Sequence, residues 1–308
     1  MMENLTLNNI FHSFPCSECQ AKGCPSCDGT GRNKVLNNVN LKIETGQIVA
    51  LVGPSGCGKT TLLNAILGTH PVEEGTISVG DKIIDRPTRD IGIVYQNKFV
   101  YDFLNTRENV AFGPMLDQTS APFRMFSPFK WRQLRQRHLQ EADALLDQLG
   151  ILHARNLYPK KLSGGMRQRA SIAQALIMRP KVLLYDEPFS ALDEATKEDL
   201  QLMLLAFYQE NLEAKKAGLT PPHTIFIVTH ELNEAFYVSD RVVGLSQYHE
   251  DGKNGATIVY DKAAPVFHPD DSKDYSLFIE QREELRKAAF DETNNQHHQE
   301  FVTFWNEK

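Results

Sequence analysis

The sequence predicts an α/β fold with a mostly parallel sheet. The octapeptide Gly53–Thr60 (GPSGCGKT) fits the pattern G-x-x-x-x-G-K-[ST] and lies between an apolar run at 48–52 and an apolar helical pattern. Two further apolar runs, at 182–187 and 224–230, end in polar residues. Between them the amphipathic segment 200–207 predicts the crossover helix that connects parallel strands.

The octapeptide predicts a site for a nucleoside triphosphate. Its glycines let successive backbone N–H groups converge on phosphate oxygens, and the helix that follows adds the positive potential of its N-terminus. In this pattern Lys59 reaches the outer phosphates and the Thr60 hydroxyl can ligate Mg²⁺.

Length and charge narrow the class of protein. A chain of 308 residues predicts about two domains, and one α/β core with additions fits that length. The net charge of −6 gives no electrostatic footprint for nucleic acid, so no nucleic-acid partner is predicted. Because no apolar run approaches the roughly 18 residues of a membrane span, and residues 1–14 lack the features of a signal peptide, we expect a soluble, cytoplasmic chain.

A cluster of cysteines separates the first two predicted strands, at 3–11 and 35–43. The cluster forms two C-x-x-C knuckles, which consist of Cys16, Cys19, Cys24 and Cys27. Two knuckles can supply the four thiolates of a tetrahedral zinc site, with an iron–sulfur cluster or reduced, unmetallated thiols as alternatives. The favoured role is a metal staple for a long hairpin loop, and the alternative is a redox or metal switch.

Further strands are predicted at 75–79, 82–84 and 91–96. The last of these ends in Gln96. A helix is expected to start near Asn105, with Thr106 and Glu108 available for capping.

Residues 114–131 are predicted to be irregular because they contain three prolines. Their large apolar side chains indicate either core packing or an exposed patch for a partner. An apolar face between Ala142 and Leu149 then predicts a helix that ends before Gly150.

Two polar sites follow in the second half of the chain. Ser163, Gly164 and Gly165 precede a helical pattern, and a helix N-terminus can bind an anion, although alone this would be an ordinary N-cap. Asp186 and Glu187 end an apolar strand, where neighbours point to opposite sides, so that one can serve Mg²⁺ while the other faces water.

Residues from about 3 to 265 resemble the ATP-binding subunit of an ABC transporter. Six motifs occur in the order of that family, namely the phosphate loop, Gln96, the signature Leu162–Gly165, the strand ending in Asp186 and Glu187, the run Ser190–Asp193, and His230. The phosphate loop, the signature and Met166–Arg169 look closest to the group that imports nitrate, sulfonate and bicarbonate. The interval between Gln96 and Ser163 is longer than the resemblance implies, which indicates an insertion near 114–131.

The resemblance implies a P-loop NTPase core with a mostly parallel sheet, an N-terminal antiparallel β subdomain and an α-helical signature subdomain. The expected organisation is an ATP-binding domain over 1–265, with a cysteine-rich insert at 15–32 and the helical subdomain at about 97–170. A C-terminal extension over 266–308 carries an amphipathic helix, followed by an aromatic tail at 301–305 that docks on the core or makes a regulatory contact.

The implied function is ATP hydrolysis that powers import of a small polar solute, such as nitrate, a sulfonate or bicarbonate, through separate membrane subunits. A solute-binding protein would take part indirectly, and the subunit would lie peripherally on the cytoplasmic face of the membrane. The segment 123–131 is placed to contact the membrane subunits. The rival class is a soluble ABC-type ATPase acting on nucleic acid or ribosomes, since some of those carry metal-binding cysteines.

The resemblance also implies the roles of individual residues, with ATP and Mg²⁺ as cofactors. Two copies of the chain would pair head to tail, each ATP lying between one phosphate loop and the partner's signature. Glu187 would polarise the attacking water, assisted by His230, Gln96 and Lys59. The Mg²⁺ set is Thr60, Gln96 and Asp186, and the nucleotide set is Gly53, Pro54, Ser55, Gly56, Cys57, Gly58, Lys59, Thr60, Thr61, Ser163, Gly164, Gly165 and Asp193. Phe14, or alternatively Phe11, would stack on adenine.

Overall fold

The computed structural model describes residues 3–16, 31–96, 100–190, 192–247, 255–271 and 273–291. In these ranges the strands are β1 (Leu5–Pro15), β2 (Arg32–Ile43), β3 (Ile48–Val52), β4 (Glu74–Val79), β5 (Lys82–Ile83), β6 (Ile91–Val94), β7 (Val182–Asp186), β8 (Ile225–Thr229), β9 (Arg241–Ser246) and β10 (Thr257–Ala263). The helices are α1 (Lys59–Leu67), α2 (Thr106–Asp117), α3 (Ala121–Phe126), α4 (Pro128–Gln148), α5 (Gly164–Leu176), α6 (Glu194–Lys216), α7 (Leu232–Val238) and α8 (Ile279–Phe290). Among these helices, none has the length and apolar character needed to cross a membrane.

The chain divides into two compact units, one formed by Met1–Thr88 with Gln201–Lys308 and the other by Arg89–Leu200. The first unit contains an antiparallel sheet with the strand order β2-β1-β4-β5. It also contains β3, which lies parallel between β8 and β9, while β10 pairs antiparallel with β9. The predicted antiparallel N-terminal sheet and the mostly parallel core are both confirmed.

The core of the first unit is built on β3 and β8. Every residue of both strands is buried, as expected for parallel strands that are covered on both faces and therefore read as continuous apolar runs. The helix α7 packs against β3. The functional loops at the ends of these strands are therefore anchored in the most buried part of the unit.

The C-terminal helix α8 docks on this unit against β9 and β10. Leu285 and Ala289 are buried, and the Ser246 hydroxyl donates a 2.7 Å hydrogen bond to the carbonyl of Ala289. A Cβ at Gly244 would lie 2.7 Å from Leu285 Cδ1, so this glycine permits the close approach of the helix. The predicted amphipathic helix is confirmed, whereas the aromatic tail at 301–305 lies outside the described residues.

In the second unit β6 and β7 pair in parallel, and α2, α4 and α5 pack on one another. The prediction of an irregular segment at 114–131 is wrong, because α2, α3 and α4 occupy most of it. Pro122 and Pro128 lie in the first turns of α3 and α4, where proline fits because the N–H groups there have no partner within the helix.

The predicted start of α2 is confirmed, and of the two predicted capping residues Glu108 takes part while Thr106 does not. Asn105 is the N-cap: its side chain accepts a 3.0 Å hydrogen bond from the Glu108 N–H, and the Glu108 carboxylate accepts from the Asn105 N–H in return. Thr106 does not cap the helix, because its hydroxyl donates to the carbonyl of Leu157 at 2.8 Å.

Candidate functional site

The phosphate loop follows β3 directly and is shaped by its glycines. A Cβ at Gly53 would lie 2.2 Å from the carbonyl oxygen of Leu245 and 2.8 Å from Cys57 Sγ, so no larger residue fits. Gly58, with φ +96°, forms the left-handed entry to α1, and a Cβ there would lie 2.8 Å from Val35 Cγ1. Gly56 also has a positive φ, +80°. Such turns before a helix N-terminus direct backbone N–H groups toward a bound anion.

The Lys59 ammonium group is held by the loop itself. It is buried and donates hydrogen bonds to the carbonyl oxygens of Gly53 at 2.8 Å and Pro54 at 2.9 Å. Because an ammonium group has three N–H donors, one remains for a phosphate oxygen. Thr60 is exposed and Thr61 half-buried beside it, so the Thr60 hydroxyl can reach a metal ion that accompanies the phosphates.

Cys57 has a packing role within the same loop. The side chain is buried, and burial raises the pKa of its thiol above the ordinary value, against the opposing effect of the Lys59 charge. A thiol of raised pKa is neutral near pH 7 and is a poor nucleophile and metal ligand. Cys57 therefore fills the space beneath the loop.

In the second unit, a loop at 186–190, which we call the carboxylate loop, follows β7. Glu187 has φ +45°, a left-handed conformation that costs a non-glycine residue about 1–2 kcal/mol. Two hydrogen bonds hold it: the Ser190 hydroxyl donates to the Glu187 carbonyl at 2.8 Å, and the Ser190 N–H donates to the same oxygen at 3.2 Å.

Gln96, just beyond β6, joins this loop through its side-chain amide. The amide nitrogen donates to the Ser190 hydroxyl at 3.0 Å and to the Glu187 carboxylate at 3.4 Å. Burial and the nearby negative charge of Asp186 raise the pKa of Tyr95, the residue before Gln96. The structure therefore brings together Gln96, Glu187 and Asp186, which the sequence places in separate motifs. Ser190, which links two of them, was assigned no role from the sequence.

The signature and Asp193 also lie together in the second unit. The Ser163 hydroxyl is the N-cap of α5 and accepts a 3.2 Å hydrogen bond from the Met166 N–H. A Cβ at Gly165 would lie 2.9 Å from Thr196 Cγ2. The Asp193 carboxylate accepts hydrogen bonds from the N–H and the hydroxyl of the same Thr196, both at 2.9 Å. The first turn of α6 thus fixes the signature and Asp193 relative to each other.

His230 is exposed at the carboxyl end of β8, in the first unit. The adjacent Thr229 hydroxyl accepts a hydrogen bond from the Glu231 N–H at 3.1 Å, which orders the turn into α7. A cavity of about 440 Å³ adjoins His230, and α8 contributes Arg282 and Arg286 to its wall. No role was assigned to these arginines from the sequence, where their spacing of about one helical turn was the available signal.

Phe14 lies near the end of β1, which extends four residues beyond its predicted end at residue 11. The residue is 39% exposed, and its ring meets the His12 ring edge-on, with centroids 4.7 Å apart. Phe11, the alternative for adenine stacking, is half-buried. An exposed aromatic face suits stacking on a planar base, so Phe14 remains the better candidate.

Of the four clustered cysteines, Cys16 lies within the described residues. Cys19, Cys24 and Cys27, and with them the predicted pairing into two knuckles, lie outside the described residues. Cys16 is half-buried, and its N–H donates a 2.9 Å hydrogen bond to the Gly31 carbonyl, which joins the two ends of the cysteine segment. Among the described residues, no group of three His, Cys, Asp or Glu side chains is arranged to hold a metal ion.

Sequence comparison gives matches over most of the chain. The model of the ABC transporter family matches residues 36–190. The taurine import ATP-binding protein TauB of Escherichia coli O157:H7 is 36% identical over 216 residues, which cover 70% of this chain and 75% of that protein. TauB of Shigella sonnei (strain Ss046) is also 36% identical over 216 residues, with the same coverage of both chains.

Solved structures show the same similarity. A dimeric post-hydrolysis state of the ATP-binding cassette MJ0796, bound to ADP and Pi, superposes with a TM-score of 0.62 at 25% identity, covering 85% of this chain and 100% of that chain. Another dimeric structure of MJ0796, a bacterial ABC transporter cassette, gives a TM-score of 0.61 at 26% identity with the same coverage.

Proposed function

The chain belongs to the ABC transporter family, as an ATP-binding subunit that hydrolyses ATP, and we propose that it powers import of a small polar solute through separate membrane subunits. The observation that carries the proposal is the 36% identity to a taurine import ATP-binding protein over 70% of the chain. Taurine is a sulfonate, so a sulfonate-like solute is the first choice within the group that also includes nitrate and bicarbonate.

The phosphate loop is proposed to hold the β and γ phosphates of ATP through the backbone of Gly53–Thr61 and the Lys59 ammonium group. The N–H that Lys59 leaves uncommitted supports this role. Mg²⁺ would neutralise phosphate charge, held by the Thr60 hydroxyl with help from Gln96 and Asp186. Thr60, which is exposed, and Asp186, which is half-buried, both offer the hard oxygen ligands that Mg²⁺ prefers.

Glu187 is proposed to polarise the water that attacks the γ-phosphate. Its carboxylate needs a fixed direction for this role: Gln96 donates to the carboxylate, and Ser190 holds the backbone of the same residue through its carbonyl. His230, exposed at the end of β8, would contact the γ-phosphate. Phosphoryl transfer depends mainly on positioning and charge stabilisation, so each of these groups contributes by holding its place.

A second copy of the chain is proposed to complete each site, as a head-to-tail homodimer. Ser163, Gly164, Gly165 and Asp193 of one copy would face the ATP held by the other. The dimeric structures of the similar cassette support pairing, as does the presence of two helix N-termini suited to anions, those of α1 and α5. Closure on ATP and opening after hydrolysis would provide the movement that drives transport.

Membrane subunits are proposed to dock beside Gln96, which would hold the chain peripherally on the cytoplasmic face of the membrane. A cavity of about 340 Å³ lies there, with Tyr95, Tyr101 and Gln174 in its wall. Its mixed apolar and polar wall suits a short amphipathic helix. A solute-binding protein would act on the membrane subunits rather than on this chain, and no nucleic-acid partner is proposed.

The four cysteines Cys16, Cys19, Cys24 and Cys27 are proposed to bind zinc, with an iron–sulfur cluster as the alternative. The hydrogen bond between Cys16 and Gly31 supports a staple, because it already closes the segment at its base. Zinc would hold the intervening loop through four thiolates.

Purification of the tagged protein from detergent-solubilised membranes tests the proposal. We expect a stoichiometric polytopic membrane protein by mass spectrometry, and about one zinc per chain by metal analysis of the same sample. The binding protein that accompanies such a transporter gives a route to the solute. Recovery of ribosomes, nucleic acid or soluble partners alone would contradict the transporter function and favour the soluble ATPase.

A further inference from the structure

An exposed surface with both aromatic and basic side chains lies on α3 and the start of α4. We call it the basic aromatic surface; it comprises Met125, Phe126, Phe129, Lys130 and Arg132. Met125 is 75% exposed, and Phe126 and Phe129 are each 78% exposed. For these three side chains the exposed patch, rather than core packing, is the interpretation that fits, whereas Phe123 and Trp131 of the same segment are half-buried. Large apolar side chains grouped on a surface indicate an interaction site.

The charge of this segment is opposite in sign to that of the chain. Between Asp117 and Glu141 there are five Lys or Arg residues and no Asp or Glu, in a chain of net charge −6. Three of the five have partners: Arg124 donates to Thr119, while Arg135 and Arg137 pair with Glu108 and Glu141. Lys130 and Arg132 are exposed and make no ion pair or hydrogen bond with the described residues.

The surface is held in shape by contacts beneath it. The Arg124 guanidinium lies 5.2 Å from the centre of the Trp131 ring and also donates to the Thr119 hydroxyl at 2.9 Å, which ties α3 to α4. His138 and Leu139 are buried on the inner side of α4. Phe129, Lys130 and Arg132 are all exposed in the first turns of the helix, before this buried stretch begins.

We propose that the basic aromatic surface binds anionic phospholipid directly. Lys130 and Arg132 would contact the headgroups, and Met125, Phe126 and Phe129 would enter the interface between headgroups and acyl chains. Interfacial helices combine Lys and Arg with Phe, Leu or Trp in this way. The anionic surface of a membrane attracts such a cluster, and each basic residue near it increases the affinity for the membrane roughly fivefold.

The charge favours lipid over the membrane subunits as the occupant. Cytoplasmic loops of membrane proteins carry an excess of Lys and Arg, so their charge would repel Lys130 and Arg132. Phospholipid headgroups supply the opposite charge. This contact goes beyond the proposed function, because it would give the ATP-binding subunit a membrane contact of its own.

Sedimentation of the full-length protein with protein-free vesicles tests the inference. One vesicle type contains phosphatidylcholine alone and the other contains phosphatidylcholine with phosphatidylglycerol. We expect binding to the second type only, weakened by salt because exposed charges are screened. The variant Lys130→Gln/Arg132→Gln should bind the anionic vesicles roughly 25-fold more weakly than the wild type. The variant Phe126→Ser/Phe129→Ser should bind them at least about tenfold more weakly.

The control variant Lys42→Gln/Lys216→Gln removes the same charge from exposed positions of the first unit and should bind as the wild type does. Unchanged ATP binding would show that each variant is folded. Equal binding to both vesicle types, or an unchanged affinity of Lys130→Gln/Arg132→Gln, would overturn the inference. Failure of the wild type to bind either vesicle type would also overturn the inference. If Lys130→Gln/Arg132→Gln then failed to co-purify with the membrane protein, the basic aromatic surface would be a contact for the membrane subunits. Because the vesicles contain no protein, the outcome is independent of whether transport itself is confirmed.

Discussion

The phosphate loop and the carboxylate loop each follow the carboxyl end of a buried parallel strand, yet they keep their shapes by different means. At the phosphate loop, contacts allow only glycine: a Cβ at Gly53 would overlap the Leu245 carbonyl oxygen at 2.2 Å. At the carboxylate loop, a glutamate adopts the left-handed conformation that glycine prefers, and Ser190 hydrogen-bonds to it. In the phosphate loop, glycines occupy the backbone conformations that glycine prefers, whereas in the carboxylate loop Glu187 occupies a conformation that is unfavourable for its residue type.

The difference shows where function imposes a cost. A backbone cradle for phosphate needs only N–H groups, so the residue that fits best sterically can also do the work. A carboxylate aimed at one water cannot be replaced by glycine, so its unfavourable backbone conformation persists and neighbouring groups stabilise it. Strained residues of this kind cluster at functional sites, which supports the proposed role of Glu187.

The largest effect is expected from Glu187→Gln. If Glu187 polarises the attacking water, hydrolysis should fall by about 10²- to 10⁴-fold, while ATP binding persists because glutamine keeps the shape of the side chain. Phosphate release and nucleotide binding measure the two properties separately. Glu194→Gln, at the exposed first turn of α6, is the matched control. Hydrolysis by Glu187→Gln at the wild-type rate would reject this role.

The steric explanation of the phosphate loop predicts the next largest effect. Gly53→Ala should lower the free energy of unfolding by about 3 kcal/mol, because the new methyl group meets backbone on one side and Cys57 on the other. Gly218→Ala is the contrasting control: Gly218 has φ +71° and nothing within 4 Å of a Cβ, so only about 1 kcal/mol is expected. Urea unfolding measures both, and equal losses would show that contacts do not shape the loop.

The same contrast explains how much the sequence could predict. The phosphate loop was recognised because its glycines and Lys59 occur at the spacing of a phosphate-binding pattern, and the buried strands because apolar runs are visible in the sequence. The conformation of Glu187 and its bond to Ser190 could not be predicted, because tertiary contacts override local preference there. The segment 114–131 was wrongly expected to be irregular because Pro122 and Pro128 lie in first helical turns, where proline is tolerated.

The carboxylate of Asp240 allows the amino ends of the parallel strands to be compared with the carboxyl ends, where the two loops lie. Asp240 lies at the amino end of β9, where its N–H donates to the Ile48 carbonyl at 2.9 Å. Burial raises the pKa of its carboxyl group from 3.8 to about 6, although the Lys215 charge opposes the rise. The folded state thus favours the protonated form, a contribution that is complete below the unfolded pKa and lost as pH rises through about 6.

Asp240→Asn should therefore stabilise the fold by about 2 kcal/mol at about pH 8 and by little at about pH 4. Nucleotide affinity should not change, because ligands of such sheets bind at the carboxyl ends of the strands. Chemical unfolding at the two pH values gives the comparison. A loss of ATP binding in this variant would show that the amino end also serves the nucleotide.

The smallest effect should come from Ser190→Ala, which removes support from the carboxylate loop without touching the carboxylate. Its hydroxyl donates to the Glu187 carbonyl and accepts from Gln96. Because a hydrogen bond contributes about 1 kcal/mol, its loss should raise the barrier to hydrolysis by that amount and slow the reaction roughly fivefold. ATP affinity should stay constant, and Ser190→Thr, which keeps the hydroxyl, should restore most of the rate. If Ser190→Ala hydrolyses ATP normally, the hydrogen bonds do not hold Glu187 in its working direction. The left-handed conformation would then be maintained by the packing of the buried residues Pro188 and Phe189 that follow it, and the two loops would be shaped by sterics alike.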